Sequence, residues 1–348
     1  MTSIRFREKG IGTDFACLLI AEIGINHNGD MDLARRSIDA AAAAGADAVK
    51  FQNYRTEDFL DGKDLTITYG TGPTRITEPQ LDLFSRCELR QGALAELKRH
   101  CDGHGVLFLS TPTSPEGVEE LLAVGAPMLK NGSDFLGHTE LIESFARSGL
   151  PTLLSTGMAT LGEVDQAVRS FRRAGGTDLV LLHCVSVYPA PPRSVNLRKI
   201  PLLEQAFGCP VGFSDHTEGH VAALGAVAMG ARVIEKHFTL DKDQPGPDHW
   251  FSADPDEFGA LVRAVRTLED CLGEAQLGYS DLEGEARESF RLSCAAARDM
   301  SAGTVVAASD VVLRRPGSGI PPEQSAWLRG RTLKRSLQKG EIFCKEDV

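Results

Sequence analysis

The chain has 348 residues, 42% of them apolar and 24% charged, enough to bury a large core without disulfide or metal staples. Its formal net charge of −11 excludes a protein that grips nucleic-acid phosphates or an anionic membrane through a basic surface. No run approaches the ~18–20 apolar residues of a membrane span. The N-terminal MTSIRFREKG has no apolar signal-peptide core. The eight cysteines are scattered without a C-x-x-C, so reduced thiols and a cytoplasmic location are expected.

From residue 17 to residue 272 one pattern recurs: a short apolar run ending in polar residues, then an amphipathic stretch ending near Gly. The runs are CLLIAEIG (17–24), DAVKFQ (47–52), VLFLS (106–110), PMLKNG (127–132), PTLLST (151–156), LVLLHC (179–184), PVGFSD (210–215) and RVIEKH (232–237). They are short and mostly non-alternating, as strands buried on both faces are. Helices are expected over 30–44, 92–104, 115–124, 138–148, 161–174, 217–229 and 255–271, with 195–207 interrupted by Pro201. In the first, Leu33, Ser37, Ala40, Ala41 and Ala44 share a face.

Eight strand–helix units over ~250 residues point to an α/β TIM barrel. The competing doubly wound sheet would more often carry G-x-G-x-x-G after its first strand, and EIGINHNGD is not that loop. The barrel is expected over 1–272, a polar linker over 273–290 and a small, mainly β domain over 291–348. That last segment contains an internal echo. Met300–Val311 matches Leu337–Val348, pairing Gly303 with Gly340, Val305 with Ile342 and Asp310 with Asp347.

TIM-barrel sites lie at the C-terminal strand ends. In strand order these ends offer Glu22; Lys50 and Gln52; Ser110 and Thr111; Lys130 and Ser133; Ser155 and Thr156; His183, Ser186 and Tyr188; Ser214, Asp215 and His216; and Glu235, Lys236 and His237. All are expected to converge. Lysines and hydroxyls together suit a phosphate or carboxylate. His216 and His237 end adjacent strands, roughly 5 Å apart. They either share a metal or are two hydrogen-bonding histidines. His27 is placed to reach the site, and His100, His104, His138 and His220 are expected to be solvated on helical faces. The cysteines, Cys184 included, are expected to pack, with no histidine placed to activate Cys184.

AEIGINHNGD, DAVKFQ, FLSTP, LSTGM, LLHC-x-x-x-YP, GFSDHT, EKHFTLD and PGPDH occur in this order. Together they resemble the sialic acid (N-acetylneuraminate) synthase family of nonulosonic acid synthases. VLRRPGSGI and KGEIFCKEDV resemble its C-terminal SAF, or antifreeze-like, domain. The resemblance implies metal-dependent condensation of phosphoenolpyruvate with an open-chain 2-acetamido sugar. It assigns Lys50, Thr111, Lys130, Ser133, Ser155 and Ser214 to phosphoenolpyruvate, and His216 and His237 to a divalent metal, Mn²⁺. Glu22, Tyr188 and Asp248 match acceptor contacts, and Glu235 sits beside the reacting carbons. It also implies a domain-swapped homodimer in which Arg315 reaches the acceptor's acyl group in the partner's site.

Two departures bear on the acceptor. Ser186 stands where the pattern often has Asn, and Lys130-Asn-Gly-Ser-Asp-Phe135 replaces K-I-G-S-G-E/D. The acceptor is therefore N-acetylmannosamine or a 2,4-diacetamido-trideoxyhexose. Ser186 and the Asn131/Asp134/Phe135 loop are the positions expected to decide between them. The alternatives are another phosphoenolpyruvate-using aldol synthase, which would need a further basic cluster for an acceptor phosphate, and a non-catalytic sugar-binding protein.

Overall fold

The computed structural model describes residues 3–6, 9–62, 64–70 and 75–348. These fall into two compact units, Met1–Gly273 and Glu274–Val348. The first opens with an antiparallel hairpin, β1 (Ile4–Phe6) and β2 (Lys9–Ile11). Alternation follows: β3 (Leu18–Gly24), α1 (Met31–Ala43), β4 (Ala48–Asn53), a second hairpin of β5 (Thr66–Tyr69) and β6 (Ile76–Pro79), α2 (Gln80–Cys87), α3 (Ala93–Gly103), β7 (Leu107–Pro112), α4 (Pro115–Ala123), β8 (Leu129–Asn131), α5 (Thr139–Ser148), β9 (Thr152–Ser155), α6 (Leu161–Arg173), β10 (Leu179–Cys184), α7 (Pro192–Val195), α8 (Lys199–Phe207), β11 (Val211–Asp215), α9 (Val221–Ala228), β12 (Val233–His237) and α10 (Pro255–Leu272).

The eight long-range strands pair in parallel in the order β7-β4-β3-β12-β11-β10-β9-β8, and β7 lies beside β8, so the sheet curls into a TIM barrel. Two apolar layers hold it. Leu19, Val49, Phe51, Phe108, Leu181 and Phe213 face the helices. Ile20, Leu109, Met128, Leu153, Leu182 and Val233 fill the interior, where Ile4, Phe6 and Ile11 of the first hairpin join them.

Each expected strand is present, with ends moved by one or two residues. α1 buries Leu33, Ala34, Ser37, Ile38 and Ala41, whereas Ala40 and Ala44 are only half-buried. The stripe is wider than the expected set, as a core-facing helix requires. α9 starts later than expected because the Asp215 carboxylate captures the backbone N–H and hydroxyl of Thr217, at 2.9 and 2.8 Å. This local bond competes with helix formation. α8 starts at Lys199, after Asn196 turns the chain at φ 51°, and Pro201 is tolerated in the first turn. Both hairpins and α2 lie in stretches for which the periodicity signalled no element.

The second unit contains α11 (Gly284–Phe290), β13 (Ser293–Ala296), β14 (Val311–Arg314) and α12 (Ser325–Leu328), with β13 and β14 antiparallel. α11 falls in the stretch expected to be a linker. The sequence echo is a structural pseudo-twofold. Met300 and Leu337 exchange backbone hydrogen bonds of 2.8 Å each. Arg298 holds Asp310 as Arg335 holds Asp347, and each carboxylate also accepts an N–H three residues earlier, from Ala307 and Cys344. The Ala302 N–H donates to Ser336 while the equivalent Lys339 N–H donates to Asp299. The unit is mainly turns and short strands around Cys294, Met300, Val306, Leu328, Leu337 and Phe343.

Candidate active site

Side chains alternate across a strand, so only every second residue of each strand end reaches the barrel interior. Glu22, Lys50, Gln52, Thr111, Lys130, Ser155, Cys184, Ser214, His216, Glu235 and His237 line one cavity of about 400 Å³ at the C-terminal strand ends. Ser110, Thr156, His183, Asp215 and Lys236 do not line it, which corrects the expectation that every polar strand end converges. His183 Nε2–H donates to the Val195 carbonyl, 2.5 Å away, and Lys236 pairs with Asp215 at 2.9 Å.

The floor of the cavity is a buried charge network. Lys50 Nζ lies 2.8 Å from Glu22 Oε2 and donates to Thr111 Oγ1 at 2.8 Å. Lys130 Nζ donates to Ser155 Oγ at 2.8 Å and to the Asn131 carbonyl at 2.9 Å. Glu235 bridges the two lysines, with Oε1 3.5 Å from Lys130 and Oε2 3.9 Å from Lys50. Strand register explains the meeting: Glu235 stands opposite Ser214, whose hydroxyl donates to Oε1 at 2.9 Å, and Glu22 stands opposite both His237 and Lys50. The register slips between Glu22 and Gly24, where φ is +54° and a Cβ would meet Glu22 Oε1 at 3.0 Å. Only glycine suits that bulge.

Burial lifts the Glu22 carboxyl to about 7, against the pull of Lys50. Burial also pulls Lys130 below the usual lysine value. For Glu235 burial acts upward, but Lys130 and Lys50 overcome it and hold the carboxyl ionised. Its Oε2 is buried without a hydrogen-bond partner. A buried carboxylate oxygen left open between two ammonium groups marks a place where a polar ligand completes the network.

One wall packs unusually close. A Cβ on Gly157 would sit 2.4 Å from Ser186 Oγ, 2.7 Å from Ser133 Oγ and 3.1 Å from Cys184 Sγ. The Gly157 N–H donates to Ser133 Oγ at 3.0 Å.

Next to this wall the His216 and His237 rings lie 5.4 Å apart, with Tyr188 4.2 Å from the first and 5.8 Å from the second. His216 Nδ1–H donates to the Val185 carbonyl at 2.8 Å, which fixes the ring so that Nε2 is the nitrogen that could bind a cation; Ser214 Oγ lies 3.4 Å from it. Burial, with His216 and Lys50 adding to it, keeps His237 neutral. Its Nδ1 has no hydrogen-bond partner and lies 3.6 Å from Asp248 Oδ2. For His216 burial acts downward, but Cys184 and the Val185 carbonyl overcome it and push the imidazole up. The neutral His237 ring, with its unpartnered nitrogen, stands beside His216 and a nearby carboxylate, a donor set that fits a divalent cation once His216 gives up its proton.

Ser133, Ser186, Tyr188 and Asp248 also line the cavity, so the thirteen barrel residues to which the family resemblance gave a role border one space. Arg315 belongs to the second unit, where it is exposed and its guanidinium lies over Phe290, 5.2 Å from the ring centre. His27 does not reach the cavity. It is buried, and its Nδ1 accepts from the Gly29 N–H at 3.1 Å. Cys184 does have a histidine beside it, His216 Nδ1 at 3.9 Å. His100 and His104 are not simply solvated, because both meet Asp39.

Sequence reasoning missed the outer wall. Tyr54, Phe59, Ile67 and Phe84, from the segment between β4 and α3, line the mouth together with Phe135 and Asp134. Tyr54, Phe59, Phe84 and Phe135 pack edge to face, with ring centres 5.5–6.3 Å apart. Their signal was an aromatic cluster in a stretch without clean periodicity.

The model of the NeuB family matches residues 37–277, and that of the SAF domain matches 293–348. The chain belongs to the NeuB family. An uncharacterized protein of Methanocaldococcus jannaschii is 37% identical across 100% of this chain and 99% of its own length. N,N'-diacetyllegionaminic acid synthase of Legionella pneumophila is 36% identical, covering 98% of this chain and 97% of that protein. The crystal structure of N-acetylneuraminic acid (sialic acid) synthetase from Leptospira borgpetersenii, in complex with citrate, is 34% identical. It superposes with a TM-score of 0.74 over 82% of this chain and 95% of that one. This NeuB-family chain is an enzyme. Among its described residues no helix is long and apolar enough to cross a membrane.

Proposed function

We propose that this enzyme condenses phosphoenolpyruvate with an open-chain 2-acetamido sugar, giving a nonulosonic acid and phosphate. The observation that carries the reading is the paired buried ammonium groups of Lys50 and Lys130 around the unsatisfied Glu235 oxygen, beside the facing imidazoles of His216 and His237. Lys50, Lys130, Thr111, Ser133, Ser155 and Ser214 bind the phosphate and carboxylate of phosphoenolpyruvate. Its C3 bonds to the aldehyde carbon of the acceptor, whose carbonyl oxygen takes a proton. Water then adds at C2, and phosphate leaves with the bridging oxygen as the C–O bond breaks. Glu22, lifted to about 7, sits where a carboxyl both gives and takes protons near neutral pH. Glu235 stays ionised between the lysines and orients the attacking water. His216 and His237 would hold the divalent cation, Mn²⁺, which supplies Lewis acidity toward the aldehyde when bound, and Asp248 beside them would contact the acceptor.

The mouth favours the diacetamido-trideoxyhexose over N-acetylmannosamine. Among the described residues the only cations lining the cavity are Lys50 and Lys130, and the mouth carries Asp134 and Asp248. An acceptor phosphate finds no partner there. The Phe59, Phe84 and Phe135 rings suit a 6-deoxy carbon and a second acetyl group. The same reading makes the enzyme a cytoplasmic homodimer in which Arg315 of one chain completes the partner's site. Its planar charged fork suits an acyl oxygen, and it is exposed.

The test is phosphate release from phosphoenolpyruvate with a panel of 2-acetamido and 2,4-diacetamido sugars, with Mn²⁺ or with excess chelator. The expected result is turnover that needs the cation and is fastest with a 6-deoxy-diacetamido sugar. Full activity in chelator would remove the metal from the reading, and release of phosphate with no sugar in the panel would overturn it.

A further inference from the structure

Far from the strand ends, on the helical wall, α1 and α3 lie side by side and are joined by successive rungs. Arg35 of α1 pairs with Glu96 of α3. One turn further along both helices, Asp39 meets His100, and His104 follows at the next turn of α3. His100 Nε2 lies 2.6 Å and His104 Nε2 2.9 Å from the same oxygen, Asp39 Oδ1. The two rings are 4.9 Å apart between centres. Residues four apart on a helix share a face, which is why one carboxylate reaches both.

We propose that Asp39, His100 and His104 form a second metal site, for Zn²⁺, separate from the candidate active site. The three ligand atoms lie within 4.8 Å of one another, the spread one small cation spans. Tetrahedral Zn²⁺ with bonds near 2.0–2.1 Å sets its ligand atoms about 3.3 Å apart. The two histidine–carboxylate separations, 2.6 and 2.9 Å, are shorter because protons lie between the atoms; the ion replaces those protons, and the exposed carboxylate rotates outward to admit it. Two imidazole nitrogens and one carboxylate oxygen select Zn²⁺ over the oxygen-seeking Mg²⁺ and Ca²⁺. His100 is in the last turn of α3 and His104 is its C-cap, so the ion would sit at the negative end of the helix dipole. The side chains keep 47%, 27% and 40% of their exposure, leaving room for ion entry and for water as the fourth ligand. The site would pin α1, which leads into the Lys50 strand, to α3, which leads into the Thr111 strand. Its role is structural.

The experiment uses the full chain, stripped of metal and titrated with Zn²⁺ alone by calorimetry, with Co²⁺ as a spectroscopic stand-in. In the His216→Ala/His237→Ala background the expected result is one equivalent of Zn²⁺. Adding His100→Ala or His104→Ala should weaken it by more than the ~10–100-fold that losing a mere supporting partner costs. The Co²⁺ form should show tetrahedral d–d bands without a thiolate charge-transfer band, which separates this site from the exposed Cys271. Where the background variant fails to fold, the wild type and His100→Ala/His104→Ala are compared, and the variant should bind one equivalent fewer. Condensation with Mn²⁺ should be unchanged by His100→Ala. No Zn²⁺ bound in the background variant, binding that survives loss of both histidines, or a thiolate band would each overturn the site.

Discussion

Two buried lysine–carboxylate groups sit at the same end of the barrel, on opposite faces of the strands. On the outer face Lys236 donates to Asp215 at 2.9 Å and to the Thr217 carbonyl at 2.6 Å, while the other Asp215 oxygen accepts from Thr217 twice. Every partner is used, and the group is closed. On the inner face Lys50, Lys130, Glu22 and Glu235 share their bonds unevenly, Glu235 Oε2 has no hydrogen-bond partner, and the network opens on a cavity. The first ties one loop to the barrel. The second leaves bonding capacity facing a cavity. A buried charge is thus evaluated by the completeness of its bonding, not by its burial.

The sharpest test of this contrast crosses the two lysines. Lys130→Met should lower kcat/KM by at least about 10²–10³-fold, the usual cost of one preorganised donor. It should cost less stability than Lys236→Met, because burial already disfavours the charged lysine and Lys50 remains beside Glu235. His216→Ala and His237→Ala should lose activity on a similar scale while folding normally. Lys236→Met should do the reverse: stability falls by about 3–5 kcal/mol through the stranded Asp215 charge, and activity per folded molecule stays. Lys236→Met/Asp215→Leu should recover most of that loss. Denaturation curves beside steady-state rates would show it, and matched effects at Lys130 and Lys236 would erase the distinction.

A finer probe is the crowded inner wall. Gly157→Ala drives a methyl group toward Ser133 and Ser186. A displacement of roughly 1 Å in a bound substrate costs on the order of 10²-fold. The loss should appear in KM for phosphoenolpyruvate while the melting temperature moves little. An unchanged KM would detach this wall from the anion.

The sequence revealed the barrel because its strands are short, buried runs and its helices carry caps such as Ser114-Pro115 and Thr160…Glu163. It revealed the inner site residues because polar groups in apolar runs are costly and therefore conspicuous. The strand-end rule could not separate Lys130 from Lys236, since both end a strand and only register decides the face; the family resemblance alone set Lys130 apart. Nor did the sequence show the aromatic mouth, whose Tyr54, Phe59 and Phe84 meet through a hairpin and a short helix without strong periodicity. The Asp39–His100–His104 cluster was invisible because it depends on how two helices align. The echo in the C-terminal segment was legible because a pseudo-twofold repeats its turn residues at fixed spacing.

The smallest predicted effect tests whether the open site carries a measurable cost. Burial lifts the Asp248 carboxyl from its ordinary 3.8 to about 6. The folded state therefore holds this proton more tightly than the unfolded chain does. Below pH 4 both states are protonated and the group costs nothing. Between pH 4 and 6 the unfolded chain ionises first, so stability falls, and above pH 6 the full penalty remains. Two units correspond to at most about 3 kcal/mol, and partial solvent access reduces this to about 1–2 kcal/mol. Asp248→Asn should remove that penalty, so the metal-free variant gains about 1–2 kcal/mol at pH 8 and little at pH 4. The closed pair gives the control: the Lys236→Met/Asp215→Leu variant should not reproduce this profile. Urea unfolding of both variants and wild type at pH 4, 6 and 8 would measure it. A gain for Asp248→Asn that does not vary with pH would show that Asp248 ionises freely and that the inner face carries no such cost there.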